Sequence, residues 1–343
     1  MFNFKRIKLD SLGVVDDPRP PAEKERDYKH EELAMAMPFD WKEKPETAWR
    51  KYPVFNQDGS SSCVFQAIAK ALGIENYLEE GLFVALSRRD GYSRRANRPQ
   101  KGTYFADGMD IGHKGLTIEQ LMPSQNMNEA QMNNDSDRTV ACELVAKILR
   151  GGNYIALPIN IDAIANIVEP TGKPVVLGVR FTDKEWFGKK VPEVLGSETK
   201  YGHGICITNA TFYNGKKALV IEDSAYYDAS KEAVRVVDES WFEAGRIMFA
   251  GYFTDLKNNG TDEKPHYQFN KDLQYGLKND NDVKKLQECL AYLKFFPSRV
   301  DFTGNFYGIT LKAVKDFQLA YNIEPVQGYV GKLTRAKLNE LFI

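Results

Sequence analysis

The chain has 343 residues, of which 43% are hydrophobic and 27% charged, and its formal net charge is −1. This balance predicts a soluble globular protein with one domain of ordinary size and room for a smaller one. It supplies no basic field for nucleic acid or an anionic membrane, and no apolar run approaches the roughly 18 residues of a membrane span. We therefore expect neither partner.

The cysteines and histidines are dispersed along the chain. No close Cys/His pairing and no H-E-x-x-H motif indicates a metal site, so we expect no metal, and nothing calls for a cofactor. The cysteines are Cys63, Cys142, Cys206 and Cys289.

Residues 1–37 contain the run D-D-P-R-P-P followed by alternating charges, which indicates a mostly extended N-terminal extension. Residues 1–15 carry basic side chains but no continuous apolar segment. We therefore expect no secretory signal peptide.

The stretch Pro53–Leu72 changes from a polar, serine-rich half to apolar residues at helical spacing. This predicts a helix that begins at Cys63 and ends near Gly73. The unpaired N–H groups and positive dipole end of a first turn favour an anion, so a thiol at this position is readily held as a thiolate. The amide of Gln57 can turn toward the same place and form an oxyanion hole with the Cys63 N–H.

The next segments predict loops, a helix and then strands. A basic surface loop is expected at Ser87–Lys101, a polar loop at residues 124–138 and a helix at Thr139–Leu149. Short β-branched runs then indicate four strands, which are Tyr154–Ile161, Pro174–Phe181, Gly204–Phe212 and Ala218–Asp223. Helices first and strands later predict an α+β domain.

His203 directly precedes the third predicted strand, and Asp223 ends the fourth. A carboxylate can accept an imidazole N–H and so fix its tautomer. Each residue also has an ordinary interpretation, because free cysteines are most often small core residues and lone histidines are most often structural. The order Gln57, Cys63, His203, Asp223 at compatible spacings favours catalysis.

These segments resemble the papain-like cysteine peptidases. The signature P-V-x-N-Q-G-x-C-G-S-C-W-A-F fits from Gln57 to Cys63 without a gap, and D-W-K-E-K, K-P-V-V-L-G-V, G-H-G and I-E-D-S-A are similar to later family motifs. The resemblance implies a helical half facing an antiparallel β-barrel half across a cleft, in residues 38–256. It makes Cys63 the nucleophile, His203 the base, Asp223 the orienting group in place of an asparagine, and Gln57 the oxyanion donor.

The chain departs from the family pattern at several positions. Ser60 replaces the first signature cysteine, Val64 replaces the aromatic residue after the nucleophile, and Ala225 stands where a tryptophan shields the histidine. Another aromatic residue, such as Tyr226 or Trp241, would have to cover that site.

Gly102 corresponds to the second glycine of a Gly-Gly pair whose backbone binds substrate in strand-like fashion, with Lys101 in place of the first. A turn glycine is the ordinary alternative. The resemblance has two further implications. The extension of residues 1–37 is short for a pro-segment, and the lack of a disulfide framework indicates folding in a reducing compartment.

A polar linker at residues 257–270 precedes a small domain with an internal repeat. V-K-K-L-Q at 283–287 returns as V-K-D-F-Q at 314–318, and Gly304…Thr310 returns as Gly328…Thr334. We expect each threonine to cap a helix, and three apolar faces predict three short helices around one core.

This repeat resembles the peptidoglycan-binding domain type 1, in register at Gly276, Val283, Leu286, Gln287, Leu290, Asp301, Gly304, Phe306, Thr310, Ala313, Val314, Phe317, Gln318, Gly328, Val330, Thr334 and Leu338. The resemblance implies that residues 271–343 bind bacterial peptidoglycan, with Tyr307 and Tyr329 as candidate glycan contacts. A generic three-helix module that binds protein or packs on the peptidase is the alternative.

Together the two resemblances imply a cysteine endopeptidase that cleaves peptide or protein substrates and is carried to the bacterial cell wall. Such a protein would be made in a reducing cytoplasm and act at the wall or in a phage particle, as a lytic or virion enzyme. Two alternatives stay open: a catalytically silent papain-fold binding protein, and a protein-processing protease whose small domain is an assembly contact.

Overall fold

The structure, a computed structural model, describes residues 13–16, 39–53, 55–186, 191–225, 234–254, 264–296 and 302–343. The chain divides into two compact units, Met1–Thr254 and Asp255–Ile343. Most of the predicted N-terminal extension, the first half of the predicted linker and Tyr226 lie outside the described residues. None of the helices in the described ranges is long and apolar enough to cross a membrane.

The first unit opens with its helical half. Its elements are β1 Val14–Val15, a 3-10 turn at Glu46–Ala48, α1 Cys63–Glu80, α2 Arg88–Ser93, β2 Thr103–Tyr104, α3 Phe105–Lys114, α4 Glu129–Met132 and α5 Val140–Ile148. Helix α5 agrees with the prediction, and Thr139 accepts the N–H of Cys142 as its N-cap.

Helix α1 runs further than the sequence predicts. It passes Gly73 and ends at Glu80, capped by Gly81 with the left-handed φ of +71°. The lack of a side chain at Gly73 lets the Val84 backbone approach α1 closely, because a Cβ there would lie 2.7 Å from the Val84 carbonyl oxygen. All residues from Cys63 to Asn76 are buried, so packing from every side carries the helix through its glycine.

The predicted surface loop at Ser87–Lys101 is wrong, because its first part is the buried helix α2. Charged side chains of this helix are paired with groups elsewhere in the unit. The carboxylate of buried Asp90 accepts Arg138 Nε at 2.9 Å and the Thr117 N–H at 2.8 Å. Partners distant in sequence make this basic segment interior.

The second half of the unit is a sheet with interspersed helices. Its elements are β3 Tyr154–Ala156, α6 Ile161–Thr171, β4 Val175–Phe181, α7 Asp183–Trp186, β5 Tyr201–Tyr213, β6 Lys216–Glu222, β7 Val234–Asp238, α8 Ser240–Glu243 and β8 Ile247–Phe253. The strands pair antiparallel in the order β3-β8-β4-β5-β6-β7.

Three of the four predicted strands are present, as β4, β5 and β6. The fourth, predicted at Tyr154–Ile161, is present only in part. Strand β3 ends at Ala156, and α6 begins at Ile161 with Asn160 as its N-cap. Strands β7 and β8 were not predicted. Within the described residues, no pairing of β3 with β7 closes the sheet into the expected barrel.

The second unit contains the three predicted helices, α9 Asn281–Tyr292, α10 Gly308–Ala320 and α11 Lys332–Phe342. They enclose one core, to which Phe269 from the predicted linker also belongs.

The sequence repeat of this unit is a repeat of hydrogen bonds. Gln287 accepts the Gly304 N–H and donates to Thr310 Oγ1, and Gln318 makes the same pair of bonds with Gly328 and Thr334. The threonines are therefore not N-caps as predicted. Each lies inside its helix and hydrogen-bonds the glutamine of the preceding helix.

An ion pair holds the two halves of the first unit together. Lys70 of α1 binds Glu222 at the end of β6, and both side chains are buried. Burial raises the pKa of Glu222 although Lys70 and the Tyr52 N–H lower it. The pair fixes the helix that begins at Cys63 against the strand that precedes Asp223.

Replacing Lys70 with Met should destabilise the first unit by roughly 3–5 kcal/mol, because it leaves the Glu222 carboxylate buried without its cation. Urea unfolding followed by tryptophan fluorescence measures this, since all four tryptophans belong to the first unit. Adding Glu222→Gln should recover part of the loss. Lys42→Met, which breaks an exposed pair with Asp40, should cost less than about 1 kcal/mol. An equal cost for both lysines would contradict this account.

Candidate active site

Cys63 and His203 meet where α1 packs on β5. Both side chains are fully buried. Their neighbour Gly204 allows the contact, because a Cβ there would lie 3.0 Å from the Val64 Cα. His203 Nε2 bonds Asp223, which leaves the buried Nδ1 as the ring atom available to the Cys63 thiol, although no hydrogen bond of ordinary geometry joins the two.

The thiol and the imidazole stabilise each other as an ion pair. Burial alone would raise the pKa of Cys63, but the neighbouring His203 imidazole, with the N–H groups of Gly204 and Gly13, lowers it. Burial alone would lower the pKa of His203, but Asp223 and Cys63 together raise it to about 9. A lowered thiol pKa and a raised imidazole pKa both favour the thiolate–imidazolium form of the pair.

Asp223 orients the imidazole. Its Oδ1 accepts His203 Nε2 at 2.7 Å and the Ala225 N–H at 2.9 Å. An ionised carboxylate only accepts, so the His203 proton lies on Nε2. Burial would raise the pKa of Asp223, but the charges of His203 and Arg235 and these hydrogen bonds hold it well below its usual range. The group stays ionised.

Sequence reasoning missed Trp186, the aromatic residue that covers this contact. Its indole lies edge-on to the His203 ring at 5.9 Å and donates Nε1–H to Asp223 Oδ2 at 2.9 Å. The candidate Trp241 packs behind it, 5.3 Å from Trp186. Trp186 comes from α7, far in sequence from Ala225, so no motif placed it here.

Gln57 is buried in the loop before α1, held by hydrogen bonds on both sides. Its Oε1 accepts Ser224 Oγ–H at 2.9 Å, its backbone N–H donates to the Ser224 carbonyl at 3.2 Å, and its Nε2 donates to the Ser60 carbonyl at 3.1 Å. Ser224 follows Asp223, so the glutamine loop and the carboxylate are locked together.

The N-terminal strand β1 lies against this site. The Gly13 N–H donates toward Cys63, and the Gly13 carbonyl accepts the Thr103 N–H at 2.8 Å as β1 pairs in parallel with β2. A Cβ on Gly13 would lie 2.6 Å from the Ser61 Cβ, and Asp16 forms an ion pair with Arg180 of β4. Residues 13–16 thus span from the helical half to the sheet and cover the thiol.

Gly102 lies against Gly13 of this segment, but its own N–H and carbonyl groups bond other residues. Its N–H donates to Tyr92 Oη at 3.2 Å, and its carbonyl accepts Arg95 Nε at 2.9 Å. The strand-like bond to β1 is made by the N–H of Thr103, and the substrate contact expected of Gly102 stays a prediction. The glycine supplies space, because at its φ of +82° a Cβ would lie 2.6 Å from the Gly13 carbonyl oxygen.

Among the described residues, no group of three His, Cys, Asp or Glu side chains could hold a metal ion. Cys142, Cys206 and Cys289 are buried free thiols, and burial raises the pKa of Cys206 and Cys289.

Comparisons with known proteins bear on both units. Residues 279–338 match a family model described as a putative peptidoglycan binding domain. Xylellain, a cysteine protease from Xylella fastidiosa, is similar in structure with a TM-score of 0.57 and 14% identity, over 74% of this chain and 99% of that chain. Amb a 11, a ragweed pollen cysteine protease in its proform, has a TM-score of 0.51 and 16% identity, over 67% of this chain and 71% of that chain. No curated protein sequence matches the chain.

At these identities the likeness shows the fold. The first unit has a papain-like fold, and a peptidoglycan-binding-type domain follows it. The predicted α+β class and both resemblances are confirmed.

Replacing Gly13 with Val should speed alkylation of Cys63 by iodoacetamide roughly tenfold, because the added side chain collides with Ser61 and Gly102 and displaces β1. Intact mass over time measures the rate. The control Gly196→Val, at a position where a Cβ meets nothing within 4 Å, should leave the rate unchanged. Equal rates for both variants would show that β1 does not protect the thiol.

Proposed function

We propose that this chain is a papain-like cysteine endopeptidase that its C-terminal domain targets to bacterial peptidoglycan. One observation carries the proposal: the buried His203 imidazole lies beside the Cys63 thiol and lowers its pKa, and Asp223 accepts the His203 Nε2–H at 2.7 Å. A cysteine that only filled the core would not have its pKa lowered by a buried imidazole.

In the proposed acylation step, the Cys63 thiolate attacks the carbonyl carbon of a peptide bond. The C–N bond breaks as imidazolium His203 gives its Nδ1 proton to the leaving amine, and a thioester remains on Cys63. The negative oxygen of the tetrahedral intermediate is stabilised by the Cys63 N–H, at the positive end of α1, and by the Gln57 amide.

In deacylation, neutral His203 takes a proton from water, whose oxygen attacks the thioester carbonyl. The acid product leaves, and the thiolate and imidazolium form again. Asp223 holds the Nε2–H throughout, so Nδ1 is always the atom that exchanges protons. Substrate reaches the thiol only when β1 has left it.

The proposed wall contact is the exposed aromatic surface of the second unit. Tyr307 and Tyr329 are both accessible, and Tyr307 lies edge-on to exposed Tyr275 at 5.9 Å. Flat aromatic faces with a polar rim suit sugar rings. We propose that the enzyme acts at the bacterial wall or in a phage particle, on peptide substrates held there.

A single Cys63 adduct should form with an epoxysuccinyl inhibitor, and Cys63→Ala should lose both the adduct and hydrolysis of a casein substrate. The reason is that the pKa of this thiol is lowered beside an imidazole, whereas burial raises the pKa of Cys206 and Cys289. Intact mass and substrate assays measure the two losses. Cys142→Ala, at another buried free thiol, should keep both activities. With Gly13→Val also present, a folded chain that forms no adduct would favour the silent binding protein.

Full-length Cys63→Ala protein should sediment with purified peptidoglycan sacculi, and Tyr307→Ala should weaken binding several-fold because a stacking face is lost. Tyr77→Ala, at an exposed tyrosine of α1, is the matched control and should bind normally. Hydrolysis of casein without any binding to sacculi would instead support a protein-processing protease.

A further inference from the structure

Arg235 is a buried cation that contacts the carboxylate of the proposed triad. It lies in β7, paired with Ile221 of β6, and its side chain is fully buried. One guanidinium nitrogen donates to Asp223 Oδ2 at 2.7 Å, and the other donates to the Trp186 carbonyl. The guanidinium also lies over the Trp186 indole, 4.8 Å from its centroid.

This contact completes the set of donors around Asp223. Oδ1 accepts His203 Nε2 and the Ala225 N–H, whereas Oδ2 accepts Trp186 Nε1 and Arg235. Each carboxylate oxygen has two lone pairs, so all four are used. The carboxylate cannot rotate without breaking several of these bonds.

The same contact changes the charge that His203 experiences. A buried carboxylate alone strongly stabilises the imidazolium, which would make His203 a weak acid toward the leaving amine. A guanidinium on the far oxygen opposes that effect, because its charge repels the imidazolium through a poorly screened interior. Thiolate, imidazolium, carboxylate and guanidinium together carry no net charge.

We propose that Arg235 is a positioning residue that tunes His203 by making the Asp223–Arg235 pair a neutral orienting group. The pair then acts as an amide would, holding the Nε2–H without adding net negative charge beside the imidazole. This inference rests on the proposed triad, but it concerns a residue outside it.

The charged groups that act on His203 come from few elements. The titratable and charged groups that face His203 are Cys63 of α1 and Asp223 after β6, with Arg235 of β7 behind it. The rings packed on the imidazole, Phe181 of β4 and Trp186 of α7, are uncharged. The pH dependence of the Cys63–His203 pair should therefore respond to Arg235.

The test is the pH profile of Cys63 alkylation by iodoacetamide, which reports the ion pair without requiring turnover. In the unaltered chain, the step that belongs to the imidazolium should lie near pH 9. Arg235→Met should move that step upward by about one unit, because the Asp223 charge is no longer opposed. Arg235→Lys, which keeps the charge, should leave the step close to its original position.

The double variant Arg235→Met, Asp223→Asn covers the case in which Arg235→Met alone does not fold. It replaces the ion pair with a neutral amide, and its step should return to within a few tenths of a unit of the original. A folded Arg235→Met chain with an unmoved or lowered step would overturn the inference, as would a double variant whose step stays raised. A single thiol titration in the unaltered chain would instead refute the Cys63–His203 pair itself, and with it the proposed function.

Discussion

The site depends on a close contact between backbone and backbone. The first turn of α1 packs onto β5 at Gly204, where any side chain would meet the Val64 backbone. That approach brings Cys63 to His203, although the two residues belong to different halves of the unit. The Lys70–Glu222 pair reinforces the contact from the other end, since it joins α1 to the strand that leads into Asp223. The contacts that place the thiol, the imidazole and the carboxylate are therefore made by other residues, namely Gly204 and the Lys70–Glu222 pair.

The residues of the candidate site could be predicted from the sequence because each stands at a recognisable boundary. Cys63 begins an apolar helix, His203 lies at the start of a long strand, and Asp223 directly follows another. Their partners have no such signature. Trp186 and Arg235 reach Asp223 from a short helix and a strand that local patterns did not predict, and only the assembled sheet brings them together.

The errors of sequence reasoning share one physical cause, which is that long-range packing overrides local preference. Gly73 did not end α1 because the helix is enclosed by its neighbours, and the basic segment of α2 is buried because Asp90 binds Arg138. In the second unit the repeat predicted three helices correctly. The roles of Thr310 and Thr334 were predicted wrongly. A threonine near the start of a helix gives the same sequence pattern whether it caps its own helix or bonds a distant glutamine.

The strand β1 belongs to the same chain as the thiol it lies against, and residues 17–38 join it to the rest of the unit. A segment of the same chain meets the thiol intramolecularly, so its cover does not depend on how far the protein is diluted. An added peptide has no such advantage and has to compete for the same place through its own concentration and affinity.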